Sequence, residues 1–202
     1  MVELGYDALG SAYRDWAASF DDPMREAWIG ELDQTLPRGS VVLDAGCGPG
    51  SPTGSQLSAA GHVVIGLDRS TVQLGLARNE GLRVVRGDIA AIPIASGSCD
   101  AVVALYSITH LESAHQPAAL AELARVTRPG GCFVVTLSAG SVSHDGPDRW
   151  LGVDTWFGGH PPVVNRQMLA DAGWQLDRDE IVTLHEPESD TQFHWLFAYR
   201  RH

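Results

Sequence analysis

The chain has 202 residues, 25 of them acidic and 14 basic, for a formal net charge of -11. That length suits one α/β domain with a full core, and the charge argues against an electrostatic partnership with nucleic acid or an anionic membrane. Cys47, Cys99 and Cys132 form no Cys-x-x-Cys pair, so neither a disulfide framework nor a structural zinc is implied; an N-terminus carrying Glu3, Asp7, Arg14 and Asp15 is no secretion signal, and a soluble cytoplasmic protein is expected.

Leu4, Ala8, Leu9, Ala12, Tyr13 and Trp16 recur at helical spacing, and a second helix is expected over 23–36, ending at Pro37 and Gly39. Val41, Val42 and Leu43 then read as a buried strand that ends in Asp44, with Gly46, Gly48 and Gly50 following at alternate positions. A helix over 52–60 closes at Gly61, and a second strand, 62–68, ends in Asp68. Ser70 opens the next helix with Gln73 at capping-box spacing, a third strand over 82–85 precedes Gly87 and Asp88, and 101–106 is apolar enough for a central parallel strand. A helix over 117–126 stops at Pro129, Gly130 and Gly131, before a fifth strand over 132–137. The connection 138–162 is rich in Gly, Ser, Asp and Trp, and a connection of that length is usually functional. A helix over 162–172 leads to strands 180–184 and 192–199, an antiparallel hairpin with Phe193, Trp195, Phe197 and Tyr199 on one face.

Three strands in succession thus end in an acid. Glycines at 46, 48 and 50 let the backbone turn and approach a ligand without a Cβ in the way. Asp68, 24 residues beyond Asp44, can accept both hydroxyls of a ribose, but a nicotinamide enzyme would place an acid there too, and Gly46-x-Gly48-x-x-Ser51 is a tolerable form of its glycine fingerprint. Two features break the tie. Asp44 would repel a pyrophosphate and welcome an ammonium or sulfonium charge, and Asp88 with Ile89 can meet the amino group and the face of an adenine.

These pieces, in order, resemble the class I S-adenosylmethionine-dependent methyltransferases. The resemblance is carried by Val42 through Gly50, Val64 through Ser70, Gly87-Asp88-Ile89, Ser98 through Val103 leading to Tyr106 through Leu111, and Glu122 through Gly131. It implies a Rossmann-like, doubly wound, seven-stranded and mostly parallel sheet of order 3-2-1-4-5-7-6 under an N-terminal helical lid. The single domain would divide into N-terminal helices (1–38), a cofactor core (39–137) and a substrate-side connection with a C-terminal hairpin (138–202). It also implies that Asp44, Gly46, Gly48 and Gly50 hold the methionine portion of S-adenosylmethionine, Asp68 its ribose, and Asp88 and Ile89 its adenine, with Arg69 flanking the adenine and Tyr106 beside the cofactor.

The C-terminal third resembles a narrower group of small bacterial enzymes through Trp150-Leu151-Gly152-Val153, Trp156-Phe157, Asn165-Arg166, Ala172-Gly173-Trp174 and Glu186-Pro187-Glu188. That implies methyl transfer to oxygen or nitrogen of a small aromatic or heteroaromatic molecule. Tyr13, Tyr106, His110, Trp156 and His160 are expected to line its pocket, with His110 or His160 as the general base where the acceptor must lose a proton. His110 could equally be structural, Tyr13 and Trp16 could pack or form a lid, and Trp150, Trp156 and Phe157 could pin the loop or line the cavity. His144, His160, His185 and His194 lack ligand spacing, so no metal is expected. No nucleic acid or membrane partner is expected, and the chain would act as a monomer or homodimer. A nicotinamide-dependent oxidoreductase and a non-catalytic S-adenosylmethionine-binding module stay open as alternatives.

Overall fold

A computed structural model describes residues 2–140, 146–187 and 190–202. Strands β1 (Val41–Ala45), β2 (Val63–Asp68), β3 (Arg83–Arg86), β4 (Cys99–Ala104) and β5 (Thr127–Ser138) run parallel. Within the 138–162 connection β6 (Gly146–Trp150) pairs with β7 (Val153–Phe157), and β9 (Asp190–Arg200) runs antiparallel to both β5 and β8 (Trp174–His185). The main sheet has the order β3-β2-β1-β4-β5-β9-β8, the expected topology with its last two strands renumbered by the β6-β7 pair.

Alternation along the strands sends side chains to two apolar layers. Val42, Val64, Val103, Val134, Trp195 and Phe197 face α3 (Pro23–Thr35), α4 (Thr53–Ala59) and α5 (Thr71–Asn79), which contribute Trp28, Ile29, Leu32, Leu57, Leu74 and Ala77. Leu43, Val102, Phe133, Val135, Leu196 and Ala198 face α6 (Gln116–Val126) and α7 (Pro162–Asp171). Phe193, Trp195 and Phe197 do share a buried face, as their period of two requires. Trp174 belongs to the second layer: it stacks on Phe133 at 4.4 Å between ring centroids and its indole N–H donates to the Leu120 carbonyl at 3.2 Å.

The N-terminal helical stretch is two helices, α1 (Val2–Leu9) and α2 (Ser11–Ala17), broken at Gly10 where φ is 53°. Ser70 caps α5 by accepting the Gln73 N–H at 3.1 Å, but the Gln73 amide does not reach back in a capping box. It donates instead to the carbonyls of Tyr6 (3.1 Å) and Gly10 (2.9 Å), fastening the lid to the core. The β6-β7 hairpin turns on Leu151 and Gly152, both left-handed (φ 49° and 80°), the two-residue turn that suits the twist of paired strands. Leucine is a poor advertisement for that turn, which is why the segment reads as irregular in sequence. β8 starts six residues before the expected position because it is an edge strand whose outward positions are polar.

Candidate active site

Chain connections diverge on either side of β1, so the carboxyl ends of β1, β2 and β4 open a crevice at the switch point of the sheet. Gly46 turns the chain out of β1 at φ 81°, its N–H donating to the Leu67 carbonyl at 2.7 Å, and a Cβ there would lie 2.3 Å from that of Ser107. Gly48, at φ 51°, donates its N–H to Asp68 Oδ2 at 2.9 Å. The other carboxylate oxygen accepts from the Ser70 N–H, also at 2.9 Å. Backbone donors, with the Arg69 N–H as a third, therefore fix Asp68, and the carboxylate keeps lone-pair capacity for ligand hydroxyls. Burial raises its pKa against the pull of those donors.

Asp44 is 4% exposed, and burial first, the Asp68 charge second, push its carboxyl up to about 7. A neighbouring cation would restore its ionised form. Arg25, from the first turn of α3, lines the same cavity. Its Nη1 lies 3.5 Å from Asp22 and its Nε is buried without a hydrogen-bond partner. Opposite charges on one wall match an amino acid zwitterion. Around Asp68, Leu67, Arg69, Gly87 and Ile89 line an adjoining slot suited to a flat ring.

A second cavity, of about 390 Å³, shares Tyr6, Tyr13, Gly46, Gly48, Tyr106 and His110 with the first. Its aromatic walls come from α2 and the turn after it (Trp16, Phe20), from the end of β4 (Tyr106), from the β6-β7 hairpin (Trp150, Phe157) and from β9 (Phe193). Trp150 sits edge-on to Trp16 at 4.8 Å, so hairpin and lid touch over the cavity. Gly5 allows this approach: a Cβ there would meet the Asp154 carbonyl oxygen at 2.9 Å. Tyr106 is held left-handed at φ 54°, its hydroxyl donating to Asp22 at 2.7 Å and its ring against Phe193 at 4.7 Å.

Most of the expected site residues converge here. Asp44, Gly46, Gly48, Asp68, Arg69, Ile89, Tyr106, Tyr13, His110 and Trp156 all line one cavity or the other. Three do not. Gly50 is a packing residue, since a Cβ on it would lie 2.5 Å from Leu82 Cδ1 and 3.0 Å from Ala77 Cβ. Asp88 is turned to Arg69 (3.4 Å) and to the Ala90 N–H (2.9 Å), so Gly87 and Ile89 form the wall at that strand end. His160 donates through Nε2 to the Ser113 carbonyl at 3.1 Å and lies outside both cavities, because the hairpin diverts the preceding chain. Tyr6, Asp22 and Arg25 line the cavities without any sequence signal beyond Asp22-Pro23 as a helix start, whereas Glu186, which lines the second cavity, belongs to the Glu186-Pro187-Glu188 motif. His144 and Glu188 lie outside the described residues. Among the described residues no group of three His, Cys, Asp or Glu side chains could hold a metal, and no helix is long and apolar enough to cross a membrane.

Residues 42–131 match the methyltransferase domain family. The chain is 38% identical over 156 residues to the malonyl-[acyl-carrier protein] O-methyltransferase of Serratia marcescens, covering 76% of this chain and 58% of that protein. It is 35% identical over 133 residues to the tRNA (carboxymethyluridine(34)-5-O)-methyltransferase of Mus musculus, covering 64% of this chain and 20% of that one. The chain thus spans about a fifth to three fifths of the length of these curated relatives. Among solved structures, the 1,6-didemethyltoxoflavin-N1-methyltransferase of Burkholderia thailandensis superposes with a TM-score of 0.72 at 18% identity, covering 98% of this chain and 88% of that chain.

Proposed function

We propose that the chain, which matches the methyltransferase domain family over residues 42–131, is a class I S-adenosylmethionine-dependent methyltransferase that transfers a methyl group to an oxygen or nitrogen of a small aromatic or heteroaromatic metabolite. The observation that carries this reading is the pairing of two cavities with a common wall: a polar slot along Asp68 and Arg69, and a chamber lined by Asp44, Arg25 and eight Phe, Tyr and Trp side chains. Bound there, S-adenosylmethionine supplies a methyl group already activated by its sulfonium, so the protein's task is alignment. Asp44 faces its ammonium and Arg25 its carboxylate, Asp68 accepts the ribose hydroxyls, and Leu67, Gly87, Ile89 and Arg69 take the adenine, with Asp88 steadying Arg69. Trp16, Phe20, Trp150 and Phe157 exclude water and favour a flat acceptor. The net charge of -11 supports a small acceptor over the tRNA named for the mouse relative.

The test is release of S-adenosylhomocysteine from S-adenosylmethionine with three kinds of acceptor: hydroxylated and nitrogen-containing aromatics, an acyl-carrier thioester, and tRNA. Turnover with the aromatics alone is expected. Turnover confined to tRNA or to the acyl carrier overturns the acceptor assignment. Tighter binding of reduced nicotinamide cofactor than of S-adenosylmethionine overturns the cofactor assignment. Turnover with none of the three acceptors, despite tight cofactor binding, favours a non-catalytic binding module.

A further inference from the structure

Tyr6 sits on the lid helix α1, 104 residues from His110 in the 3-10 turn after β4, yet its hydroxyl lies 2.9 Å from His110 Nε2. The other ring nitrogen, Nδ1, is 3.0 Å from the Trp156 carbonyl oxygen. A carbonyl can only accept, so Nδ1 carries the ring proton and Nε2 carries the lone pair. The Tyr6 hydroxyl must therefore donate. With its proton committed to His110, the Tyr6 oxygen offers only lone pairs to its other neighbours; the Tyr13 hydroxyl, hydrogen-bonded to it, takes one and leaves one for a ligand. Both residues belong to the lining that the two cavities share, at the boundary between cofactor slot and aromatic chamber.

Resting on the methyltransferase reading above, we propose that Tyr6, backed by His110, selects acceptors whose reacting atom carries a proton and receives that proton during transfer. An acceptor bearing O–H or N–H donates to the Tyr6 oxygen. An ether, or a carboxylate already ionised, brings only lone pairs against lone pairs. As the acceptor is methylated its O–H or N–H bond breaks, the electron pair staying on the acceptor atom to form the new bond to carbon. The proton passes to Tyr6 as the Tyr6 proton passes to His110 Nε2, and the positive charge lost from the sulfonium reappears on the imidazole. Both residues are neutral at rest, burial holding the Tyr6 phenol well above 10 and the imidazole down at about 4. The charged and titratable groups around the pair are Glu3 and Tyr13 from the lid, Asp68 from β2, Glu112 and His115 beyond the 3-10 turn, and Glu186 from the β8-β9 turn. Arg69 and Arg25 line the same two cavities, and the contact that favours a transient imidazolium is the Trp156 carbonyl, which accepts from Nδ1.

The pair can be tested without the true acceptor, by calorimetric binding of 8-hydroxyquinoline, 8-methoxyquinoline and quinoline-8-carboxylate to protein saturated with S-adenosylhomocysteine. Wild type is expected to favour the hydroxyl probe over the methoxy probe by about tenfold, a hydrogen bond's worth. Tyr6→Phe brings that ratio close to one. His110→Ala frees the Tyr6 proton and shrinks the ratio, whereas His110→Gln, whose side-chain oxygen still accepts that proton, keeps most of it. Because the readout is a ratio, a general loss of affinity or fold in a variant cancels, and unfolding midpoints are recorded alongside. A ratio near one in wild type, a ratio that survives Tyr6→Phe, or tightest binding by the carboxylate overturns the proposal. If none of the three probes binds while S-adenosylhomocysteine does, the aromatic chamber is no acceptor site, and the proposal falls together with the acceptor reading.

Discussion

Replacing Asp44 by asparagine separates what the fold wants at the end of β1 from what the ligand wants. The folded carboxyl titrates at about 7 against an ordinary 3.8, so between those values the folded state holds a proton that the unfolded chain has lost. Stability from this group is therefore fully present below 3.8, declines as pH rises, and is gone above about 7. At about 1.4 kcal/mol per pH unit that decline totals about 4 kcal/mol. A buried amide short of partners returns about 1–3 kcal/mol of it, which leaves Asp44→Asn more stable than wild type by about 1–3 kcal/mol at pH 8. For a chain of this size that is a rise in melting temperature of roughly 3–10 °C. Affinity moves the other way: losing a charged partner for the ligand ammonium costs about 1.5–3 kcal/mol, tenfold or more in Kd. Scanning calorimetry of the ligand-free protein from pH 4 to 8, with titration calorimetry of S-adenosylhomocysteine, measures both. A variant that tracks wild type across pH, or melts lower at pH 8, refutes the reasoning.

Removing the Asp68 carboxyl in Asp68→Ala strips the Gly48 and Ser70 N–H groups of their acceptor and removes the partner proposed for the ribose; cofactor affinity should fall by about tenfold or more, read by fluorescence titration. Trp174→Ala empties a fully buried site against Phe133 and should cost about 3–5 kcal/mol in urea denaturation, a small loss arguing that the layer beneath β5 collapses freely. His110 opposes Asp44 in acid: its imidazole titrates at about 4 when folded and 6.5 otherwise, so the unfolded chain binds the extra proton and about 3 kcal/mol is lost as pH falls from 6.5 to 4. In Asp44→Asn that loss should appear unmasked as a steeper acid limb, and His110→Gln in the same background should flatten it.

Local patterns announced the parallel core because its strands are short apolar runs with fixed punctuation. Val41 to Asp44 followed by alternate glycines allows little besides a strand and a tight turn, and Ser70 caps α5 as its spacing requires. The hairpin over the cavity was not legible, since its turn rests on a leucine in a left-handed conformation. Gln73 was legible as a helix-start residue, yet its amide is spent on the carbonyls of Tyr6 and Gly10, a contact between segments more than sixty residues apart. His160 shows the converse: a plausible base by residue type and loop, carried outside both cavities by a hairpin that sequence did not reveal.

The sequence by itself determined the nucleotide side of this protein: acids at three strand ends, a bare-backbone turn, and a sheet order that gathers Asp44 and Asp68 at one crevice while Asp88 turns to Arg69. Those features are local or periodic, and backbone geometry alone enforces them. The acceptor side was decided by tertiary structure. Tyr6, Arg25, His110, Trp150 and Phe193 come from five separate segments, and no spacing along the chain encodes their meeting. They converge because the lid is fastened to α5 and the hairpin packs back upon it, so the polarity of the chamber depends on contacts that exist only once the chain has closed.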